Sequence, residues 1–169
     1  MFSCLLLVAS AIANGQTYYP TYSGEVVKHS CYTLSYSEEH EQAEWVYYIL
    51  LPADVEGDAK RKSTFYPDLK VSTGTAVVAD YKGSGYDRGH LLPAADRKFT
   101  QAAMNETFLF SNVSPQVPSF NRGVWKVLEQ EIRHYVLKEQ TPLIVVTSGV
   151  LCSFMDTIGI VNNIPVPSS

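Results

Sequence analysis

Hydrophobic positions in this chain come in short bursts rich in aromatic and β-branched residues, separated by polar stretches, with one longer run at helical period. Trp45-Val46-Tyr47-Tyr48-Ile49-Leu50-Leu51 is an apolar run stopped by Pro52, which predicts a buried strand. The polar residues from Ala53 to Pro67 predict a loop. Thr75 to Tyr81 predicts a second strand, turned at Gly83-Ser84-Gly85. Phe99 to Thr107 predicts a short helix and Phe108-Leu109-Phe110 a strand after it. Between Asn121 and Glu139, Trp125, Leu128, Ile132 and Tyr135 recur at three- and four-residue steps, the period of a helix with one apolar face. Pro118 and Ser119 punctuate its approach and Pro142 follows its end. Leu143 to Thr147 is a β-branched strand closed by Gly149, and Ile158 to Val166 predicts a hairpin turning at Asn162-Asn163. Strands alternating with one good helix predict a mixed α/β (α+β) domain.

Length and composition narrow this further. A chain of 169 residues, 46% hydrophobic and 12% aromatic, has one domain's length and enough apolar mass for a real core. It contains no repeat and no low-complexity linker. Phe2 to Ile12 is a short apolar run ending in small residues, with Ala11-Ile12-Ala13 as an A-x-A site. This reads as a signal peptide over residues 1–15 ahead of a domain at 16–169, and it predicts a secreted or periplasmic protein. No Lys or Arg precedes the run, so a clipped gene start or a buried first strand is the alternative. No other segment is long and apolar enough to span a bilayer. With Cys4 in the leader, Cys31 and Cys152 remain, either paired after export or as two buried free thiols. The absence of CxxC and HExxH gives no support to a structural zinc site.

The net charge of −4 excludes a protein that coats nucleic acid by overall basicity. Its cations cluster, however: Lys60-Arg61-Lys62, Arg88, Arg97-Lys98, Arg122 and Lys126 permit a local basic groove, while acid gathers between Glu38 and Glu44.

The chemistry concentrates in Asp87-Arg88-Gly89-His90. Of four histidines, His29, His40 and His134 read as structural or exposed. His90 has neighbours suited to catalysis: Gly85 and Gly89 allow close backbone approach, and Arg88 carries a charge that does not titrate. An imidazole beside a bound phosphate can take a proton from water near neutral pH. Asn112 lies in an apolar stretch. Asn121 and Glu129, eight helical positions apart, would share one broad side of a helix with a rise of about 12 Å between them. One could hold a metal directly while the other bonds its waters, an arrangement that suits Mg²⁺. For an arbitrary Asn before a helix a cap is the better reading; the spacing to Glu129 is what favours a metal role here. Asn105-Glu106-Thr107 and Asn112-Val113-Ser114 match the glycosylation sequon and are read as accidental.

Gly83-Ser84-Gly85-Tyr86-Asp87-Arg88-Gly89-His90-Leu91, Ser111-Asn112-Val113-Ser114-Pro115-Gln116, and the run from Asn121 through Trp125 to Glu129 strongly resemble the DNA/RNA non-specific endonucleases. The likeness runs from about Tyr32 to the end of the chain. It implies a central antiparallel sheet with a ββα-metal active-site motif, and cleavage of DNA and RNA alike to leave 5′-phosphates. It also implies roles: His90 as general base, Asn121 as the direct ligand of a hydrated Mg²⁺ or Mn²⁺, and Glu129 as the residue ordering metal-bound water. Arg88 would stabilise phosphate charge, Asn112 would orient the site by hydrogen bonding, and Arg61, with Lys62 as the alternative, would stabilise the transition state. Family domains continue past the point matching Pro165-Val166-Pro167, so the domain is expected to be C-terminally incomplete. The rival expectation is a catalytically inactive nucleic-acid-binding fragment of the same fold; a third is an effector nuclease with an immunity partner. Oligomeric state is left open.

Overall fold

The computed structural model describes residues 4–10, 19–152 and 155–167. Five strands form an antiparallel sheet: β1 (Cys4–Ser10), β2 (Glu25–Lys28), β3 (Thr33–Ser37), β4 (Gln42–Leu50) and β7 (Leu143–Gly149), in the order β1-β7-β4-β3-β2. The run read as a leader thus contributes β1, paired along β7 from Cys4 opposite Gly149 to Ser10 opposite Leu143. The Ala11-Ile12-Ala13 site lies outside the described residues.

β4 shows why the sheet forms. Its side chains alternate between faces, and both faces are covered. Val46, Tyr48 and Leu50 enter the main core with Leu34, Tyr36, Leu91 and Val145, while Trp45 and Tyr47 pack with Val146 and Tyr19 on the other side. Each such apolar side chain removed from water contributes roughly 1.5–3 kcal/mol before entropy is counted.

Four short helices and two small ladders complete the domain. α1 is Val78–Tyr81, α2 is Gln101–Glu106, α3 is Pro118–Phe120 and α4 is Lys126–Glu139. β5 (Asp87–His90) pairs antiparallel with β6 (Val113–Gln116), and β8 (Thr157–Ile158) with β9 (Ile164–Pro165). A second core of Phe65, Met104, Phe108, Phe110, Ile158 and Ile164 lies below β5 and β6.

Several sequence expectations change. Thr75 to Tyr81 is no strand: α1 begins within it, because the Asp80 carboxylate accepts the Val77 N–H and stabilises a helical start. Phe108-Leu109-Phe110 makes only an isolated bridge, Leu109 to Tyr66, before a 3₁₀ turn at Phe110–Asn112. The helix expected from Asn121 instead starts with a π-type turn over Asn121–Trp125, preceded by α3 and broken by non-helical angles at Gly123. Its apolar face is also rotated: Trp125 and Val136 are buried and Ile132 packs on the main core, while Tyr135 is exposed. Cys31 and Cys152 are free, and neither is buried: Cys31 is half-exposed and Cys152 exposed. His29 is fixed by Asp68 at 2.8 Å, His40 by Ser37 at 2.8 Å, and His134 is exposed. The hairpin forms, held by the Asp80 carboxylate accepting N–H groups of Ile160, Val161 and Asn162. No helix among the described residues is long and apolar enough to cross a membrane.

Candidate active site

β5 is short because its two ends do different work. At its start, Gly83 and Gly85 take φ values of +75° and +83°, the left-handed region that favours glycine. The space beside Gly85 is open. Its glycine is thus required by the turn rather than by the close approach expected from sequence. At Gly89 an added Cβ would lie 2.1 Å from Cδ of Gln116, so there the approach is real.

His90 ends the strand opposite Val113 and is buried. Phe65 and Phe108 wall the imidazole, with ring centroids at 5.2 and 4.9 Å. The same two rings carry the cations: the Arg88 guanidinium lies 4.6 Å from the Phe65 centroid and that of Arg61 lies 5.4 Å from the Phe108 centroid. Among the described residues neither arginine is in an ion pair. His90 Nε2 is buried with no hydrogen-bond partner. Burial first, then the charges of Arg61 and Arg88, push its pKa down to about 3, so the imidazole is neutral and its free nitrogen can accept a proton.

A cavity of about 490 Å³ contains His90 together with Arg61, Arg88, Asn121, Glu129 and Arg133. The structure thus brings together every residue expected to act there except Asn112. Asn112 is fully buried behind the site: its Oδ1 accepts the Leu92 N–H at 2.8 Å, and its Nδ2 donates to the carbonyls of Leu92 and Thr107 at 3.0 and 2.9 Å. It locks the chain leaving β5 and touches nothing in the cavity. That burial also leaves no room for a glycan on its sequon.

Asn121 is positioned by a residue to which the sequence reading assigned no role. Its Nδ2 donates to Oδ2 of Asp87 at 2.8 Å, while Arg122 clamps both Asp87 oxygens at 2.8 and 2.6 Å. A carboxylate accepts only, so the amide nitrogen must face it, which fixes which way the Asn121 oxygen points. The hydrogen bond from Arg122, aided by that from Asn121, holds the Asp87 carboxyl below the usual range. The signal was its place in the motif, two positions before Gly89.

Glu129 lies on the first turn of α4, and burial, followed by the charge of Asp96, raises its pKa to about 7. Arg133, one turn later, donates to Oδ1 of buried Asp96 at 2.7 Å, whose Oδ2 accepts from Tyr48 Oη at 3.2 Å. Trp125 Nε1 donates to the His90 carbonyl at 3.4 Å, which ties the π-type turn to β5. Together these contacts tie the start of the helix to β5 and its next turn, through Asp96, to β4 of the main sheet.

Among the described residues no three His, Cys, Asp or Glu side chains form a metal cluster, so a caged ion has no donor set. The donors present fit an ion that keeps its water: one amide oxygen oriented by Asp87, a carboxyl across the cavity, and an orphaned imidazole nitrogen for which a water is the natural partner.

The family model for DNA/RNA non-specific endonuclease matches residues 11–169. Mitochondrial endonuclease G of Bos taurus is 44% identical over 104 residues, covering 60% of this chain and 35% of that protein. A nuclease of Nostoc sp. is 41% identical over 107 residues, covering 62% and 39%. The mitochondrial nuclease EXOG of Homo sapiens is 40% identical over 126 residues, covering 72% and 34%. The chain therefore spans about a third of the length of the curated relatives it matches. In the crystal structure of the EndoG/EndoGI complex a chain superposes with a TM-score of 0.77 at 30% identity, over 86% of this chain and 64% of that one.

Proposed function

The chain belongs to the DNA/RNA non-specific endonuclease family, and from that premise we propose that it hydrolyses internal phosphodiester bonds of DNA and RNA without a recognition sequence. One observation carries the reading: a buried neutral imidazole, whose Nε2 has no partner among the described residues, shares a cavity with two guanidiniums that are in no ion pair there.

Arg61 and Arg88 would grip the non-bridging oxygens of one phosphate from either side of His90. Nε2 of His90 would take a proton from water as the water oxygen bonds to phosphorus and the bond to the 3′ oxygen breaks, leaving a 5′-phosphate. A base with a pKa near 3 is weak, but two of its three causes are the arginine charges, and a bound phosphate cancels them. Substrate thereby strengthens the base that attacks it. Asn121 would hold a hydrated divalent ion, Mg²⁺ or Mn²⁺, which when bound offsets the charge growing on the leaving oxygen. Glu129 would accept hydrogen bonds from water in the same cavity. None of these groups reads a base edge, so no sequence preference is expected and deoxyribose and ribose are treated alike.

The test is cleavage of supercoiled plasmid and of a long RNA, with Mg²⁺ and then with EDTA. Both should be degraded, EDTA should stop it, and renewed Mg²⁺ should restore it. Folded protein that bound both polymers but left them intact with Mg²⁺ or Mn²⁺ would make this a binding protein only.

Export belongs to the same proposal, supported by the apolar run and its A-x-A site. Removal of residues 1–15 would take β1 away and leave Leu143–Gly149 as the sheet's edge. Mass spectrometry of the mature protein decides it: an intact N-terminus in the protein recovered from cells would end the export reading.

A further inference from the structure

The catalytic cavity opens into a second one. This cleft, of about 610 Å³, shares Arg61, Arg88 and Asn121 with the first, yet contains neither His90 nor Glu129. Its remaining lining differs in kind. Val78, 47% exposed, and half-buried Tyr86 line its wall, and Lys62 and Lys82 line it from exposed positions. Among the described residues neither lysine has an ion-pair partner. Asp87 also lines the cleft, but Arg122 and Asn121 occupy its oxygens, so its charge is compensated.

The geometry points to this cleft as the binding site for the nucleotide next to the scissile phosphate, taken as an unpaired, single-stranded unit. The inference rests on the cleavage proposed above. Phosphate held by Arg61 and Arg88 sits where the two cavities join, so the chain of the substrate must leave through one or the other. The first is filled by the reaction. The second offers what a flexible nucleotide needs: an aromatic and aliphatic wall for a base, which stacks on any π-face without regard to sequence, and two separated cations for the next phosphate. A base still paired in a duplex cannot leave its stack to enter such a cleft without an unpairing cost. Single strands should therefore be the better ligands, and the walls contribute affinity rather than chemistry.

Binding of a fluorescent single-stranded 12-mer, measured by anisotropy in EDTA, tests this without cleavage. Lys62→Gln with Lys82→Gln changes only exposed side chains. It should flatten the slope of log affinity against log salt by about 0.7 per lysine, the value for one lost single-strand phosphate contact. Tyr86→Ala should weaken binding about tenfold, the scale of one lost stacked base, and Tyr86→Phe should restore it. With Mg²⁺ present, Lys82→Gln alone and Tyr86→Ala should raise KM and leave kcat within about twofold. Unchanged affinity and salt slope in the lysine pair, or equal loss in Tyr86→Ala and Tyr86→Phe, would overturn the inference while leaving the nuclease intact. If the wild type binds the 12-mer in this Tyr86-dependent way but never cuts, the catalytic reading fails and the binding site stands.

Discussion

The segment from Asp87 to Arg97 buries a cationic or titratable side chain near each end, and it treats the two in opposite ways. Arg97 is 1% exposed and tied in through both Nη atoms, which donate to the carbonyls of Asp96, Cys31 and Ile49 and to Asp54, with its guanidinium 5.1 Å from the Tyr48 ring centroid and only Nε left without a partner among the described residues. His90, seven positions earlier, is nearly as buried but keeps Nε2 unpaired beside two unpaired guanidiniums. Pairing at one end ties segment, sheet and loop together. At the other end, the His90 nitrogen is buried without a partner among the described residues, a cost to the fold that reserves it for a ligand. The difference separates stabilising burial from functional burial within one stretch of chain.

Breaking the functional end should have the largest effect. His90→Phe replaces an unpaired imidazole by a ring suited to the Phe65–Phe108 wall. Cleavage should fall a hundredfold or more, the usual scale for a lost general base, while the melting temperature holds or rises. A variant that cut at the wild-type rate would remove His90 from the mechanism; one that melted far earlier would mean the imidazole is structural after all.

The structural end should respond the other way. Arg97→Met keeps most of the volume but leaves Asp54 and three carbonyls without their donor. A loss of about 3–5 kcal/mol is expected, the range for breaking a buried charged contact, read as a lower urea midpoint at unchanged m-value. Whatever remains folded should cleave within a few-fold of wild type. Equal loss of stability and of activity per folded molecule would show that the two ends are not separable.

How much of this was legible in the sequence follows the same division. Arg88, His90, Asn121 and Glu129 were readable because their residue types and spacing are tied to the chemistry itself, Arg61 came only through the family resemblance with Lys62 as its alternative, and all five line one cavity. The sheet was readable from runs such as Trp45 to Leu51, where β-branched and aromatic residues leave little choice. Thr75 to Tyr81 misled because a short Val- and Ala-containing run satisfies strand and helix equally, and a single carboxylate, Asp80, settles it. The π-type turn at Asn121 was invisible, since hydrophobic period alone does not register one extra residue in a turn. Nor did any pattern mark Phe65 and Phe108 as the wall of the imidazole, or show that the hydrogen bonds expected of Asn112 go to the backbone of Leu92 and Thr107. Those assignments depend on contacts between residues far apart in the chain.

The smallest effect expected is on the pH dependence of stability, and it sharpens the comparison because two site groups act with opposite sign. His90 has a folded pKa of about 3 against an ordinary 6.5. Below pH 6.5 the unfolded chain takes up a proton that the folded one refuses, so stability falls as pH drops toward 3, by up to about 1.4 kcal/mol per pH unit. Glu129 has a folded pKa of about 7 against an ordinary 4.5. Between those values the folded protein holds a proton that the unfolded chain has released, so stability rises as pH drops from 7 to 4.5. The two slopes oppose each other between pH 6.5 and 4.5, where metal-free protein should show nearly constant stability; below 4.5 the His90 loss continues and is joined by that of carboxyls held low in the fold, Asp68, Asp80 and Asp87 among them. Urea midpoints measured across this range in EDTA should be flat and then fall. Glu129→Gln should bring the fall forward to about pH 6.5, and His90→Phe should turn the flat region into a rise toward acid. A flat region that survived both substitutions would mean that neither group is perturbed by its burial. The contrast between an unpaired site and a paired scaffold would then lose its energetic basis.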